Sequence, residues 1–413
     1  MMKQIKAYKF RIYPDAKRQS EIETQLELAK DFYNKLLEKA KKAYEKDKTF
    51  TIKRSTFNRI KAEVISENKD FLKIYSQTRC EIEDRVIKAY ANFFRRGNER
   101  EQGKKGKVGF PRFKSRNRYK SITYPQFGFS IDKERKCYML RVSKIGGMRI
   151  ELHRQIEGQT RALTIKKEGN EYYAIITTTK GINVPKVEDT NPTSIDIGLN
   201  NFIALSNGKT IQKPKLFKKS EKRIARWQRI VARRNKGSKR RERAKERLQK
   251  EWDYVVNQSN DFMHKLSNKL VHEGYTSFAV ESLNIQNMEK NRRLAQSIQN
   301  ASWSSFINML SYKAESAGMK AIKVDTKDTS KTCSNCGNIQ DMPLSAREFV
   351  CNKCGLQIYR DVNASINILK RGRAGLAQTD AQGDIRLYGA KGAASSVEEL
   401  RTYPALAGEA HTL

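Results

Sequence analysis

Four cysteines in the arrangement Cys333-x2-Cys336-x14-Cys351-x2-Cys354 limit what the last third of this chain can fold into. Each CxxC pair offers two thiolates from one tight turn, and a short ribbon between the pairs brings all four sulfurs to one tetrahedral centre, the pattern of a structural Zn²⁺ site. Gly337 and Gly355 follow the knuckles where the backbone has to turn sharply. A disulfide or redox framework is the alternative, but two matched pairs in a 413-residue chain with six cysteines in all favour metal. Cys80 and Cys137 stand apart and read as packing residues. Asp361 lies seven residues beyond the last knuckle, so the metal module abuts a carboxylate.

Charge then names the partner class. Lys and Arg total 83 against 45 Asp and Glu, a net charge of +38, which calls for a polyanion. Nucleic acid is the first expectation; a membrane is not, because no stretch reaches the roughly 18 to 20 apolar residues of a spanning helix. The first residues carry no signal-peptide-like apolar run, so the expected location is inside the cell, in the cytoplasm. The most basic stretch is Lys213 to Lys250, with 18 Lys or Arg and three Glu. Its apolar positions Ile224, Trp227, Ile230 and Val231 and the break at Gly237-Ser238 predict a helical hairpin that contacts nucleic acid.

Periodicity divides the rest. Tyr8, Phe10 and Ile12 alternate with Lys9 and Arg11, predicting a strand with one basic face. Ser20 and Glu23 form a capping-box pattern, and Ile22, Leu26, Ala29, Tyr33, Leu36 and Ala40 follow at helical spacing. Ile82, Val86, Ala89 and Phe93 repeat that period, so a helical bundle is expected from about Lys17 to Phe94. From Tyr138 the period becomes two, through Met139–Val142, Met148–Leu152, Ala162–Ile165 and Tyr172–Ile176, predicting a meander or barrel that the first strand joins. Aromatics and cations alternate in Gly109-Phe110-Pro111-Arg112-Phe113-Lys114, a weak pattern for stacking on bases.

Three acids interrupt apolar surroundings. Asp196 sits inside the strand Thr193–Leu199, followed by a turn at Gly198 and Asn200 into Phe202–Leu205; Glu281 ends the strand Ser277–Val280; Asp361 opens a helix with apolar Val362, Ile366 and Leu369. A buried carboxylate is costly without a cation. One acid in mid-strand, one at a strand end and one at a helix start are what a ribonuclease-H-like nuclease uses to hold two divalent ions about 3.5 to 4 Å apart. Hard oxygen ligands suit Mg²⁺ or Mn²⁺.

Taken together, Ala7–Pro14, Gly109–Phe113, Ser194–Gly198, Asn287-Met288-Glu289-Lys290-Asn291-Arg292-Arg293-Leu294-Ala295 with Trp303, the four cysteines, and Arg360-Asp361-Val362-Asn363-Ala364-Ser365-Ile366-Asn367-Ile368 resemble TnpB, the insertion-sequence-encoded relatives of compact type V CRISPR nucleases. The resemblance covers residues 1 to about 370. It implies a multidomain α+β chain: a wedge β-barrel (1–15 and 116–190) with a helical recognition insertion (16–115), then a RuvC, ribonuclease-H-like α/β domain (191–330 and 357–370) carrying a zinc-ribbon module (331–356). The tail 371–413 is expected to lack a packed core and to be dispensable. It also implies an RNA-guided DNA endonuclease whose catalytic, metal-holding acids are Asp196, Glu281 and Asp361, with Mg²⁺ or Mn²⁺ there and Zn²⁺ on Cys333, Cys336, Cys351 and Cys354. The implied partners are one guide RNA per protein, transcribed from the transposon end, and double-stranded target DNA beside a short motif, read near Ser76, Gln77 and Cys80 and a loop near Thr123 and Tyr124. A strand-transferring transposase and a nuclease-inactive guided repressor are the alternatives.

Overall fold

The computed structural model describes residues 2–47, 54–103, 106–134, 137–182, 189–214, 216–282, 302–325, 327–343 and 346–382. The motif at 287–295 lies outside the described residues. Contacts divide the chain into two units, Lys3–Gly181 and the part from Ile182 onward. Among the described residues no helix is long and apolar enough to cross a membrane.

The first unit is built on a seven-stranded sheet in the order β2-β6-β7-β1-β5-β4-β3. Its strands are β1 (Met2–Tyr13), β2 (Ser121–Pro125), β3 (Phe129–Glu134), β4 (Cys137–Val142), β5 (Gly146–Glu151), β6 (Gln159–Glu168) and β7 (Glu171–Ile182). The first strand therefore lies in the middle of the sheet formed by strands more than 100 residues later, and the helices between are an insertion. Tyr8, Phe10 and Ile12 are buried. The opposite face is tied to the sheet's own acids: Lys9 pairs with Glu168 at 2.7 Å and Arg11 with Glu171 at 2.6 Å. The sheet curls, since the hydroxyl of Tyr124 on edge strand β2 donates to the Ser143 carbonyl beyond β4 at 3.1 Å.

Helices α1 (Ala16–Lys46), α2 (Arg54–Glu67) and α3 (Ser76–Glu101) form the insertion. The expected apolar stripe of α1 is buried throughout, from Ile22 to Ala40. Its start differs from expectation: Asp15 caps the helix by accepting from the Arg18 N–H at 2.7 Å, leaving Ser20 inside the helix. Glu23 instead reaches the sheet, accepting from the Tyr172 hydroxyl at 2.7 Å and from Lys167. An Asp one residue before the first turn satisfies an orphan N–H directly, so the later capping box is not needed. Phe110 packs among Tyr44, Tyr90 and Phe93, 5.1 to 6.1 Å between ring centres, and does not stand free to stack, whereas Phe113 is exposed. Thr123 and Tyr124, expected in a loop, belong to β2. Tyr124 is fully buried, and the Thr123 hydroxyl accepts from the Arg85 guanidinium at 3.0 Å and bonds the Thr164 hydroxyl at 2.9 Å. Short β2 ends in proline, which hid its alternation.

The second unit has a five-stranded mixed sheet, β10-β9-β8-β11-β12. Strands β8 (Pro192–Ile197), β9 (Ile203–Leu205) and β10 (Thr210–Ile211) are antiparallel neighbours, while β11 (Ser277–Glu281) runs parallel to both β8 and β12 (Lys320–Val324). In order of appearance this is 3-2-1-4-5, the ribonuclease-H-like arrangement that the three acids suggest. Every residue of β11 is buried, as a central parallel strand requires. The parallel β8-to-β11 crossover carries α4 (Leu216–Arg233) and α5 (Lys239–Val271). Ser238 caps α5 through the Arg241 N–H, and Gly237 takes φ +86°. The basic hairpin thus exists, but α5 continues 21 residues past Lys250, and its far end buries Met263, Leu266, Leu270 and Val271 with Phe202 and Phe278. Trp303 opens α6 (Trp303–Ser316) and is 2% exposed in the same core.

Strands β13 (Glu348–Val350) and β14 (Gln357–Tyr359) form the small cysteine ribbon, which extends three residues past the expected boundary at 356. Helix α7 (Arg360–Gln382) follows at once, so residues 371–382, expected in the unpacked tail, are helical; residues 383–413 lie outside the described residues. Gly372 shows why the helix persists: a Cβ there would stand 2.5 Å from that of Ala279 on β11, so only glycine lets the helix lie this close to the strand.

Candidate nuclease site and metal centre

Register places Asp196 next to Glu281. β8 and β11 pair in parallel with Ile195 opposite Val280, so the next step along both strands puts the two acids side by side on the same face. On its other side Asp196 pairs with Ala204 of β9. A Cβ at Gly198 would stand 2.9 Å from the Asn201 carbonyl oxygen, so the tight turn after Asp196 depends on glycine. Helix α7 packs against β8, β9, β11 and β12 and brings Asp361, in its first turn, to the same place. Ser194 on β8 donates to the Ser365 carbonyl, pinning the helix to the strand. The Asn201 amide donates to Asp361 Oδ2 at 3.2 Å and to the Tyr359 hydroxyl at 3.4 Å.

The electrostatics report this convergence. Burial, then the charges of Glu281 and Asp361, hold Asp196 well above the usual carboxylate range, while Arg360 and the Ile197 N–H pull weakly the other way. Burial and the charge of Asp361 push Glu281 up to about 7. Glu281 is 8% exposed. Burial and mutual repulsion favour the protonated forms of Asp196 and Glu281 unless a cation joins them, and an all-oxygen donor set fits Mg²⁺ or Mn²⁺.

The cysteine cluster is closed. All four Sγ atoms lie within 4.8 Å of one another, with Cys333–Cys354 and Cys336–Cys351 at 3.6 Å. Zn–S bonds of about 2.3 Å in a tetrahedron require sulfurs about 3.8 Å apart, whereas a disulfide needs about 2.05 Å. The donor set and spacing fit Zn²⁺. Gly337 and Gly355 both take φ +73°, and their N–H groups donate to the Cys333 and Cys351 carbonyls at 3.0 Å, which closes the two knuckles alike. The Cys354 and Lys353 N–H groups draw the Cys351 thiol down to about 6. At Cys336 the Asn338 N–H lowers the thiol, but burial and the neighbouring sulfurs push it up to about 11.

Several residues around these sites carry no local signal in the sequence. Asn201 follows a turn and resembles any loop asparagine. Asn363 and Asn367 are four apart on α7 and fully or nearly buried, at 0% and 6% exposure, where an apolar stripe would be expected. Ile366 and Leu369, apolar positions of the expected helix, are only half-buried, and Ile368 takes the central place with Ala279 and Val324.

Comparison with known proteins places this architecture. Residues 303–368 match the family described as "Cas12f1-like, TNB domain", residues 171–292 the family described as "Probable transposase", and residues 1–49 a family described as "Helix-turn-helix domain". The described residues of the last stretch, 2–47, fold here as β1 and helix α1. Two curated relatives carry the description "Putative RNA-guided DNA endonuclease". One, from Streptomyces pristinaespiralis, is 29% identical over 92% of both chains; the other, InsQ of Escherichia coli strain K12, is 27% identical over 70% of this chain and 73% of its own. "TnpB-like protein L79" of Acanthamoeba polyphaga mimivirus is 28% identical over 45% of this chain and 38% of its own. Among solved structures, a Cas12f1 chain in a complex with guide RNA and target DNA superposes with a TM-score of 0.55 at 15% identity, covering 89% of this chain and 98% of that one, a likeness of fold. With a curled sheet holding a helical insertion, a ribonuclease-H-like sheet and a four-cysteine ribbon, the chain is a TnpB-like protein.

Proposed function

We propose that this protein is a guide-RNA-directed endonuclease that cuts double-stranded DNA, and that Asp196, Glu281 and Asp361 are its catalytic carboxylates. One observation carries the reading: three acids from a mid-strand, a strand end and a helix start share one desolvated place, where two of them are held far above their ordinary pKa. A merely structural ion pair would put a cation there and lower those values; here the charge of Arg360 acts on Asp196 but is outweighed by burial and the two other acids. The descriptions of the relatives support the substrate class.

In this reading the three carboxylates hold Mg²⁺ or Mn²⁺, which supplies Lewis acidity and a water nucleophile at neutral pH. The protein's part is positional. Parallel register keeps Asp196 and Glu281 at fixed spacing, the Ser194–Ser365 bond seats α7, and the Asn201 amide orients Asp361 by occupying one lone pair of Oδ2. The exposed lysines and arginines of α4 and α5 would hold phosphates without reading sequence, leaving recognition to base pairing with an RNA transcribed from the transposon end.

The test is to purify the protein with RNA expressed from the flanking DNA, sequence that RNA, and assay a matched duplex with Mg²⁺. Asp196→Asn, Glu281→Gln and Asp361→Asn should each lower cleavage by about a thousandfold or more while leaving target binding intact. Undiminished cutting by any of the three would remove that residue from the assignment. The family description "Probable transposase" keeps strand transfer as a second reading. Joined strands among the products, in place of free ends, would favour it.

A further inference from the structure

Beyond the acids, one cluster of buried polar side chains has no part in the chemistry described above. Asn363 and Asn367 project from α7 into the first cysteine knuckle. Asn363 Oδ1 accepts from the Ser334 N–H at 2.8 Å, and its Nδ2 donates to the Thr332 carbonyl at 2.8 Å. Asn367 Nδ2 donates to the Thr329 and Thr332 carbonyls at 2.9 and 2.7 Å. The Lys370 ammonium donates to the Ser334 carbonyl. These bonds grip the backbone on both sides of Cys333, itself 1% exposed. At the other end of the module, the Arg360 N–H donates to the Arg347 carbonyl at 2.8 Å, and the Arg360 guanidinium to the Pro343 carbonyl at 3.3 Å.

We propose that Asn363 and Asn367 are positioning residues that lock the Cys333 knuckle to the helix carrying Asp361, so that the filled cysteine site fixes the Asp361 carboxylate for the divalent ion. Placing two asparagine amides at full burial is unfavourable unless their bonds are made in full. The Asn363 oxygen and both amide nitrogens make their bonds here, all with the backbone flanking Cys333, whose turn brings one of the four sulfurs to the metal. Helix α7 is gripped at its first residue by the ribbon and, from Asn363 on to Lys370, by the knuckle, so the turn bearing Asp361 lies between two anchors on one module. A loosened knuckle releases the upper anchor, and the Asp361 turn is then held by the Asn201–Asp361 bond, the Arg360 contacts and the Ser194–Ser365 bond without the buried amides.

The inference rests on Asp361 belonging to the nuclease site, and the experiment separates the two claims. In Asn363→Asp/Asn367→Asp the carboxylate at 363 keeps the acceptor that faces Ser334, but both carboxylates turn the donors facing Thr329 and Thr332 into repelling oxygens. With RNA-bound full-length protein, we expect zinc content and target binding to persist, amide hydrogen exchange over residues 360–364 to speed up, and the Mn²⁺ concentration for half-maximal cleavage to rise about tenfold, the low end for a group one shell removed from a metal ligand. Zinc removal from the wild type should speed the same exchange. Unchanged exchange and unchanged Mn²⁺ dependence would overturn the proposal. Lys370→Met, which deletes a part-buried bond of the same clamp, carries the test if the double variant does not fold: faster exchange over 360–364 is expected, and no change refutes the clamp. A wild type that does not cut DNA, with exchange responding as described, would remove the nuclease reading and leave the clamp standing.

Discussion

Glu281 shows how a single side chain records its surroundings. Its folded pKa of about 7, raised by burial and by the charge of Asp361, exceeds the ordinary value of 4.5. The folded metal-free protein therefore binds more protons than the unfolded chain between those values, so this group's contribution to stability falls as pH rises from about 4.5 through about 7. Divalent ions should reverse that loss by replacing the proton. We expect metal-free Glu281→Gln protein to show a flatter decline in melting temperature than the wild type between pH 5 and 8, and added Mn²⁺ to raise the wild-type melting temperature more at pH 8 than at pH 5.5. Parallel pH profiles for the two proteins would place Glu281 outside the acid cluster. That Asp196, Glu281 and Asp361 were candidates at all was legible locally, because each breaks an apolar or helical run. Their supporting Asn201, Asn363 and Asn367 break nothing that neighbours in sequence could reveal, since their partners lie 29 to 160 residues away.

The cysteine ribbon illustrates what one element can and cannot do alone. Its apolar core is Phe349 with Cys333 and Cys351, flanked by Met342, Leu356 and Ile358, far too little to order some thirty residues without metal. Cys351→Ser should therefore lose the roughly one zinc per chain expected from four thiolates, and the stretch 327–359 should become protease-sensitive while the first unit stays intact. Metal analysis and limited proteolysis read both outcomes; retained zinc with a serine at 351 would contradict the tetrahedral assignment. Local pattern was enough to predict this ribbon, because CxxC spacing is itself the geometry. It was not enough for helix starts or short strands: Asp15 displaced the Ser20–Glu23 box, and β2 looked like a loop because five residues ending in proline carry too little alternation. The far half of α5 was missed for another reason. Its buried face, Val255 to Val271, is diluted by polar residues and becomes visible only once Phe202 and Phe278 supply the opposing surface.

For the molecule as a whole, the net charge of +38 sets the terms of association. If diffuse phosphate contacts dominate, affinity for non-matching duplex should fall about a thousandfold between about 50 and 200 mM salt, and a guide-matched target should lose less. Equal salt slopes for matched and unmatched DNA would mean that pairing contributes little. Composition alone determined this polyanion partner class, and spacing alone determined the four-sulfur centre, because charge and chelate geometry are properties of short stretches. The sequence also marked the first strand as one half of a pattern completed more than 100 residues later. Tertiary structure decided the rest. Only the parallel register of β8 and β11 sets Asp196 beside Glu281, only the close approach allowed by Gly372 lays α7 across them, and only the buried amides of Asn363 and Asn367 join that helix to the knuckle. The physical reason is the same in each case: a carboxylate's pKa, an amide's bonds and a glycine's missing Cβ acquire meaning from atoms that the chain brings near only after it has folded.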